Sequence, residues 1–288
     1  MSHVLVTGSA GFLAQHIIPN LQAHNHFVTG VDKRFESSES NYFIHANVCD
    51  IGYRDLQDVD TIVHLAWRTN IPDCIRHPLE STENNILMTV KLIEAAKEAG
   101  VKRFIFPSTA SLYGTNKTPW KEDMSPEPIE PYSWQKLACE AYVRMNTSKI
   151  DTAIPRFFQV FGECQREDTA ISAFLRSKRE GRSVTLTKTT AQSTFKSGQR
   201  DFIYAGDVAD AITLLVESVL PLRGNIFNVG SGGTHTMEEV AQALNAKIEW
   251  IPRREHEVER HEADISKLKA LGWEPKVNVI DWLKKQYV

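Results

Sequence analysis

HVLVTGSAGFLAQHIIPNLQAH, residues 3–24, carries three signals in a fixed order. Residues 3–8 are a short β-rich run. Gly8 and Gly11 then let the backbone turn tightly and approach an anion. From 11 to 24 the apolar spacing is helical, with Leu13, Ile17 and Leu21 on one face. A glycine spacing alone is weak evidence. A strand before it and a helix after it are the context that counts. Exposed N–H groups and the helix dipole at that turn would favour a pyrophosphate. Gly8, Ala10, Gly11, Phe12 and Leu13 are therefore candidate cofactor contacts, and Ala14 is small enough for helix and sheet to pack closely.

Further strands are expected at 26–32, 41–47, 60–67, 102–109 and 151–158, with long helices over 79–99 and from 131 to 147. Alternating β and α units predict a doubly wound parallel sheet with helices on both faces. Ligands on such sheets bind beyond the carboxyl ends of the strands. A Pro-rich loop occupies 115–131. The pattern loosens from 161 to 200, and another helix (205–219) and strand (225–230) follow. The expected division is a cofactor-binding domain, 1–160 plus 204–230, and a smaller substrate-binding lobe, 161–203 plus 231–288.

Asp32 ends the second strand, where a carboxylate can accept both ribose hydroxyls of NAD and repel a 2′-phosphate. Lys33 and Arg34 follow it and would serve NADP instead. Asp50, with Ile51 beside it, is read either as an adenine contact or as a helix N-cap before GYRDL.

The chain has 288 residues, is 42% hydrophobic and has a net charge of −3, with no basic segment to recruit nucleic acid. The opening MSHVLVTG reads as too short an apolar stretch for a signal peptide, no run approaches the length a membrane helix needs, and the four cysteines lie far apart. A cytoplasmic protein with reduced thiols is the expectation. His256 and His261 in EHEVERH read as part of a solvated charged face, so no metal is expected.

Tyr-x-x-x-Lys occurs twice, at Tyr113/Lys117 and Tyr132/Lys136. Tyr113 precedes Gly114 in a turn, where no helix fixes the pair. Tyr132 follows Pro131, a good first helical residue, so Lys136 lies on the same face one turn along. A tyrosine base near neutral pH needs its pKa of ~10 lowered by about three pH units, ~4 kcal/mol. A nearby ammonium and an oxidised nicotinamide act in that direction. Thr109 and Ser111, in PSTAS, supply hydroxyls to hold or relay the substrate proton.

These residues and their order resemble the extended short-chain dehydrogenase/reductase family, in its NAD-dependent nucleotide-sugar epimerase/dehydratase branch. TGSAGFL, HLAW (64–67), NNILMT (84–89), STASLYG (108–114), YSWQK, RFFQVFG (156–162), RDFIYAGDVADA (200–211), FNVGSG (227–232) and ADISKLKALGWEP (263–275) all match in order. The resemblance implies a Rossmann-type fold, catalysis by Thr109, Tyr132 and Lys136 with Ser111 nearby, and cofactor contacts that include Leu65, Ala66 and Trp67. It implies that Arg200 and Arg254 contact a substrate diphosphate, that Asn85 and Gln159 line the sugar–diphosphate site, and that His261 limits sugar size. It also implies a homodimer through the helices at 79–99 and 132–148.

Departures narrow the chemistry. Ala110 and Ser111 stand where the dehydratases carry Asp-Glu, and decarboxylating relatives have a Glu at the Ser111 place. Gln159 replaces an Asn, Glu163 a proline and Trp67 a small alanine. The leading expectation is NAD-dependent 4-epimerisation of a nucleotide-diphosphate sugar through a transient 4-keto sugar. An NAD(P)H-dependent 4-keto nucleotide-sugar reductase and a non-catalytic NAD(P)-binding sensor or scaffold are the alternatives.

Overall fold

The computed structural model describes residues 1–34, 39–253 and 258–286. In chain order the first half runs β1 (His3–Thr7), α1 (Ala14–Ala23), β2 (Phe27–Asp32), β3 (Tyr42–His45), β4 (Thr61–His64), α2 (Ile71–Arg76), α3 (Pro78–Thr82), α4 (Met88–Ala99), β5 (Arg103–Ile105), β6 (Ser108–Thr109), α5 (Pro131–Met145) and β7 (Asp151–Phe157). The second half runs β8 (Gln159–Phe161), α6 (Ala170–Arg179), β9 (Val184–Thr187), β10 (Gln199–Arg200), β11 (Phe202–Tyr204), α7 (Ala205–Glu217), β12 (Asn225–Val229), β13 (His235–Thr236), α8 (Met237–Ala243), β14 (Ile248–Ile251), α9 (Ser266–Lys269) and α10 (Val279–Lys285).

The main sheet is parallel throughout, in the order β12-β7-β5-β4-β1-β2-β3, with β6 also on β7. The chain reverses direction of winding between β1 and β4, which opens a crevice beyond their carboxyl ends. Strand alternation divides the core. Val4 and Val6 pack with α1 and α7 through Ile17, Leu21, Ile212 and Leu215. Leu5, between them, faces the other way, toward Leu92 and Ile93 of α4 and Val143 of α5. A third apolar cluster joins Phe161, Phe174, Leu186, Phe202, Val240 and Leu283 from the C-terminal half. Ala263, Ile265, Leu268 and Trp273 instead join the core of the main sheet.

Two expected elements are interrupted. The strand over 102–109 breaks between β5 and β6, at Phe106 and Pro107, because proline has no N–H for the ladder. The helix over 79–99 is α3 and α4 joined by one π turn, Glu83–Leu87. The wider turn is pinned from below. Asn85, fully buried, accepts the Arg68 backbone N–H at 2.8 Å and donates to Gln135 of α5 at 2.7 Å. Gln135 in turn donates to Ser81 at 2.8 Å and Thr82 at 3.0 Å.

A buried ion pair fixes α5 against the sheet. Arg156 of β7 donates to both carboxylate oxygens of Glu140, at 2.9 and 2.7 Å, and its guanidinium lies 4.8 Å from the centre of the Tyr113 ring. The bidentate geometry sets rotation as well as distance. At its start α5 is capped by Glu130, whose carboxylate accepts the N–H groups of Tyr132 at 2.7 Å and Ser133 at 3.0 Å.

Candidate active site

Beyond the carboxyl ends of β1, β2 and β4 lies a cavity of about 1090 Å³. Its floor begins at Gly8, whose φ of +70° is left-handed and whose N–H donates to Val31 at 2.7 Å. A Cβ there would stand 2.8 Å from the backbone nitrogen of Ala66, so only glycine lets the β1 and β4 loops meet. At Gly11 a Cβ would fall 2.9 Å from the Gly8 carbonyl oxygen. Gly8, Gly11, Phe12 and Leu13 all line the cavity. Ala10 is buried and donates its N–H to Asp32 at 3.1 Å.

Asp32 lines the same cavity beside Lys33 and Arg34. Its carboxylate accepts the Arg34 backbone N–H at 2.9 Å and the Arg34 guanidinium at 3.3 Å. Burial pushes the carboxyl up. The bonds from Arg34 and Ala10 more than offset this and hold it below the usual carboxylate range, so it stays ionised. A glycine cradle that a Cβ would fill, ending at an ionised carboxylate, fits a dinucleotide with free ribose hydroxyls.

Across the cavity stand Thr109, Ser111 and Tyr132. Thr109 donates to the Ser111 hydroxyl at 3.2 Å and accepts the Ser111 N–H at 3.2 Å, closing the turn after β6. Burial pushes the Tyr132 phenol up to about 12, against hydrogen bonding with Thr109; Glu130 adds to the rise and Arg166 opposes it. Lys136 is not on the cavity wall. Its Nζ donates to the Pro107 carbonyl at 2.7 Å and lies 3.7 Å from the centre of the Trp67 ring. Burial pulls it down to about 7. The Tyr132 ring is half-buried at the cavity wall, and the Lys136 side chain is seated under Trp67.

A model of the NAD dependent epimerase/dehydratase family matches residues 4–230. The chain belongs to that family. The dTDP-D-glucose 4,6-dehydratase of Mus musculus is 28% identical, over 99% of this chain and 89% of that protein. A putative UDP-glucose 4-epimerase of Methanocaldococcus jannaschii is also 28% identical, over 98% of each. The UDP-glucose 4-epimerase of Thermus thermophilus, solved in complex with NAD, has a TM-score of 0.86 at 28% identity, over 98% of this chain and 96% of that one.

Within this epimerase/dehydratase frame, Leu65, Ala66 and Trp67 line the cavity as expected from HLAW. Other expected contacts stand elsewhere. Asp50 is exposed at the end of a 3-10 turn capped by Asn47, and Ile51 is buried in the core; Asn47, Val48 and Cys49 line the cavity in their place. Asp50 is not the N-cap of the next turn either, since Gly52 holds that position. Asn85 is spent on the Arg68 and Gln135 bonds, and its neighbour Asn84 takes the cavity wall. Gln159 is half-buried in β8, between the cavity-lining Phe158 and Val160.

Arg200 donates to the carbonyls of Gln199 at 2.9 Å and Glu259 at 3.3 Å, outside the cavity wall. His261 lies with it. Burial, and then the Arg200 charge, hold this imidazole well below its ordinary value, and its ring lies 5.0 Å from that of Trp120. His261 is half-buried against Trp120, on a less solvated face than expected. Arg254 and His256 lie outside the described residues.

Arg68 and Arg166, which no spacing singled out, both line the cavity. Arg68 is paired with Asp73 at 2.6 Å and Glu80 at 2.8 Å. Arg166 pairs with Asp168 at 2.9 Å and donates to Thr69. The available signal was their place, Arg68 directly after HLAW and Arg166 shortly beyond RFFQVFG.

Proposed function

We propose that this chain is an NAD-dependent nucleotide-sugar 4-epimerase. The observation that carries the reading is one cavity with a dinucleotide cradle at one wall and Thr109, Ser111 and Tyr132 at the other. NAD, when bound, would accept a hydride from the sugar carbon and return it. Tyr132 would take the proton of the sugar 4-hydroxyl once the positive charge of a bound oxidised nicotinamide lowers its phenol, with Thr109 holding the oxygen or relaying the proton. Asp32 favours NAD over NADP because its carboxylate repels a 2′-phosphate. Water elimination needs an acid at the neighbouring carbon, and after Thr109 come Ala110 and Ser111, neither of which is one. Arg200, Gln159, Asn85, His261 and Arg254 were expected at the substrate. Of these, Arg200 and His261 stand together outside the cavity wall.

We infer further that the chain works as a homodimer. Leu79, Trp134 and Met145, on α3 and α5, are 87%, 50% and 76% exposed. Apolar side chains so exposed on neighbouring helices suit a second copy. No described helix is long and apolar enough to cross a membrane, and all four cysteines are free, which suits a cytoplasmic protein.

The deciding experiment incubates the protein with UDP- or dTDP-hexoses and NAD. Inversion at C4 without net cofactor reduction is the expected result. Stoichiometric consumption of reduced cofactor by a 4-keto sugar would select the reductase instead. Survival of the cellular role in Tyr132→Phe would select the non-catalytic reading.

A further inference from the structure

Lys136 has an unusual setting for a lysine that is buried and carries no carboxylate partner among the described residues. Its ammonium has three protons to place. One goes to the Pro107 carbonyl, 2.7 Å away. The rest of its surroundings is aromatic, with the Trp67 ring centre at 3.7 Å and that of Phe106 at 4.6 Å. The two rings stand edge to face, 5.6 Å apart, so they form two walls of one seat. Trp67 lines the cavity and Lys136 does not, so the indole stands at the cavity surface over the lysine. The indole N–H is buried and has no partner among the described residues. What fixes the ring is therefore packing on Phe106 and His64 and the attraction of its face for the cation.

We propose that Trp67 is a positioning residue: the face of its indole seats the Lys136 side chain and favours its charged form beneath the active-site wall. An alanine, the residue that Trp67 replaces, offers no such face. The ionisable groups that bear on Lys136 do not supply the charge balance. His64 of β4 is neutral, held at about 3 by burial and then by the lysine itself. Cys139, on its own helix, is pushed up to about 11 by burial and remains a thiol. Glu140, also on that helix, is committed to Arg156. Beside the Pro107 carbonyl, and with Glu140 acting at longer range, the ring faces are the negative potential nearest the lysine. The seat stands without the 4-epimerase reading. Only its catalytic consequence, a fixed positive charge one helical turn from Tyr132, rests on it.

The test reads the lysine itself in the full chain without cofactor or substrate, so it succeeds or fails independently of turnover. The 13Cε resonance of Lys136, assigned with Lys136→Met, is followed against pH. Trp67→Leu keeps the bulk and removes the face, and should lower the Lys136 midpoint by about one pH unit, a tenfold change in its protonation equilibrium. Trp67→Phe should fall between Leu and the native residue. Ring-fluorinated tryptophan at 67 keeps the shape while withdrawing electron density from the face. It should lower the midpoint stepwise with each fluorine, and it serves if Trp67→Leu does not fold. A midpoint that is the same with native and polyfluorinated indole would overturn the proposal. So would a Lys136 midpoint in Trp67→Leu that equals the native one.

Discussion

Tyr132 and Lys136 share one face of α5, yet Tyr132 reaches the cavity while Lys136 ends at the Pro107 carbonyl, 2.7 Å away. The break between β5 and β6 makes that contact, because Pro107 leaves the ladder with its carbonyl free to accept. Replacing Tyr132 by Phe removes the proton acceptor and little else. Turnover should fall by ~10²–10⁴-fold. NAD affinity, measured by calorimetry, should stay within about threefold, ~0.7 kcal/mol.

Asp32 and Arg34 set cofactor choice against each other. Asp32→Ser removes the repulsion and frees the Arg34 guanidinium for a 2′-phosphate. The ratio of NADP to NAD affinity should rise by at least about tenfold, ~1.4 kcal/mol. Direct binding of both dinucleotides checks it, and an unchanged ratio would remove Asp32 from the adenosine ribose.

Gly8→Ala places a Cβ 2.8 Å from the Ala66 nitrogen at a φ of +70°. Backbone must move on one side or the other. A loss of roughly 1–3 kcal/mol in stability is expected from the strained conformation, together with loss of dinucleotide binding. Denaturant melts with and without NAD separate the two effects.

Glu140→Ala leaves Arg156 charged, buried and unpaired. Breaking such a pair costs about 3–5 kcal/mol. Because α5 carries Tyr132, the variant should also lose turnover at temperatures where it remains folded. Equal thermal stability of variant and native protein would show that the pair contributes nothing net.

His64 is fully buried between Thr7 at 2.8 Å and Thr89 at 3.1 Å, and burial followed by the Lys136 charge holds it at about 3. The unfolded chain binds its proton near pH 6.5. Between pH 6.5 and about 3 the unfolded state therefore carries more protons here, and stability falls as pH falls through that window. From pH 7 to 5 this one group should contribute about 2 kcal/mol of the loss. His64→Gln should remove that part of the slope, read from urea melts at the two pH values.

The order of strand, glycine turn and helix in residues 3–24 determined the cofactor cradle, the alternation of β and α units the parallel sheet, and the end of the second strand Asp32, because each rests on near-neighbour spacing and backbone geometry. HLAW, STAS and the start of α5 were legible for the same reason: each places a side chain at the carboxyl end of a strand or on the first turn of a helix. What the sequence by itself left undecided depended on contacts between distant segments. Asn85 went to the Arg68 backbone and Gln135. Ile51 was taken into the core, and His261 was drawn against Trp120. The chemistry of Lys136 was decided in the same way, since an i,i+4 spacing fixes the face of a helix and not the chain that covers it. Only the packed β4 loop brings Trp67 over that side chain, and only the packed interior brings the burial that pulls it down to about 7.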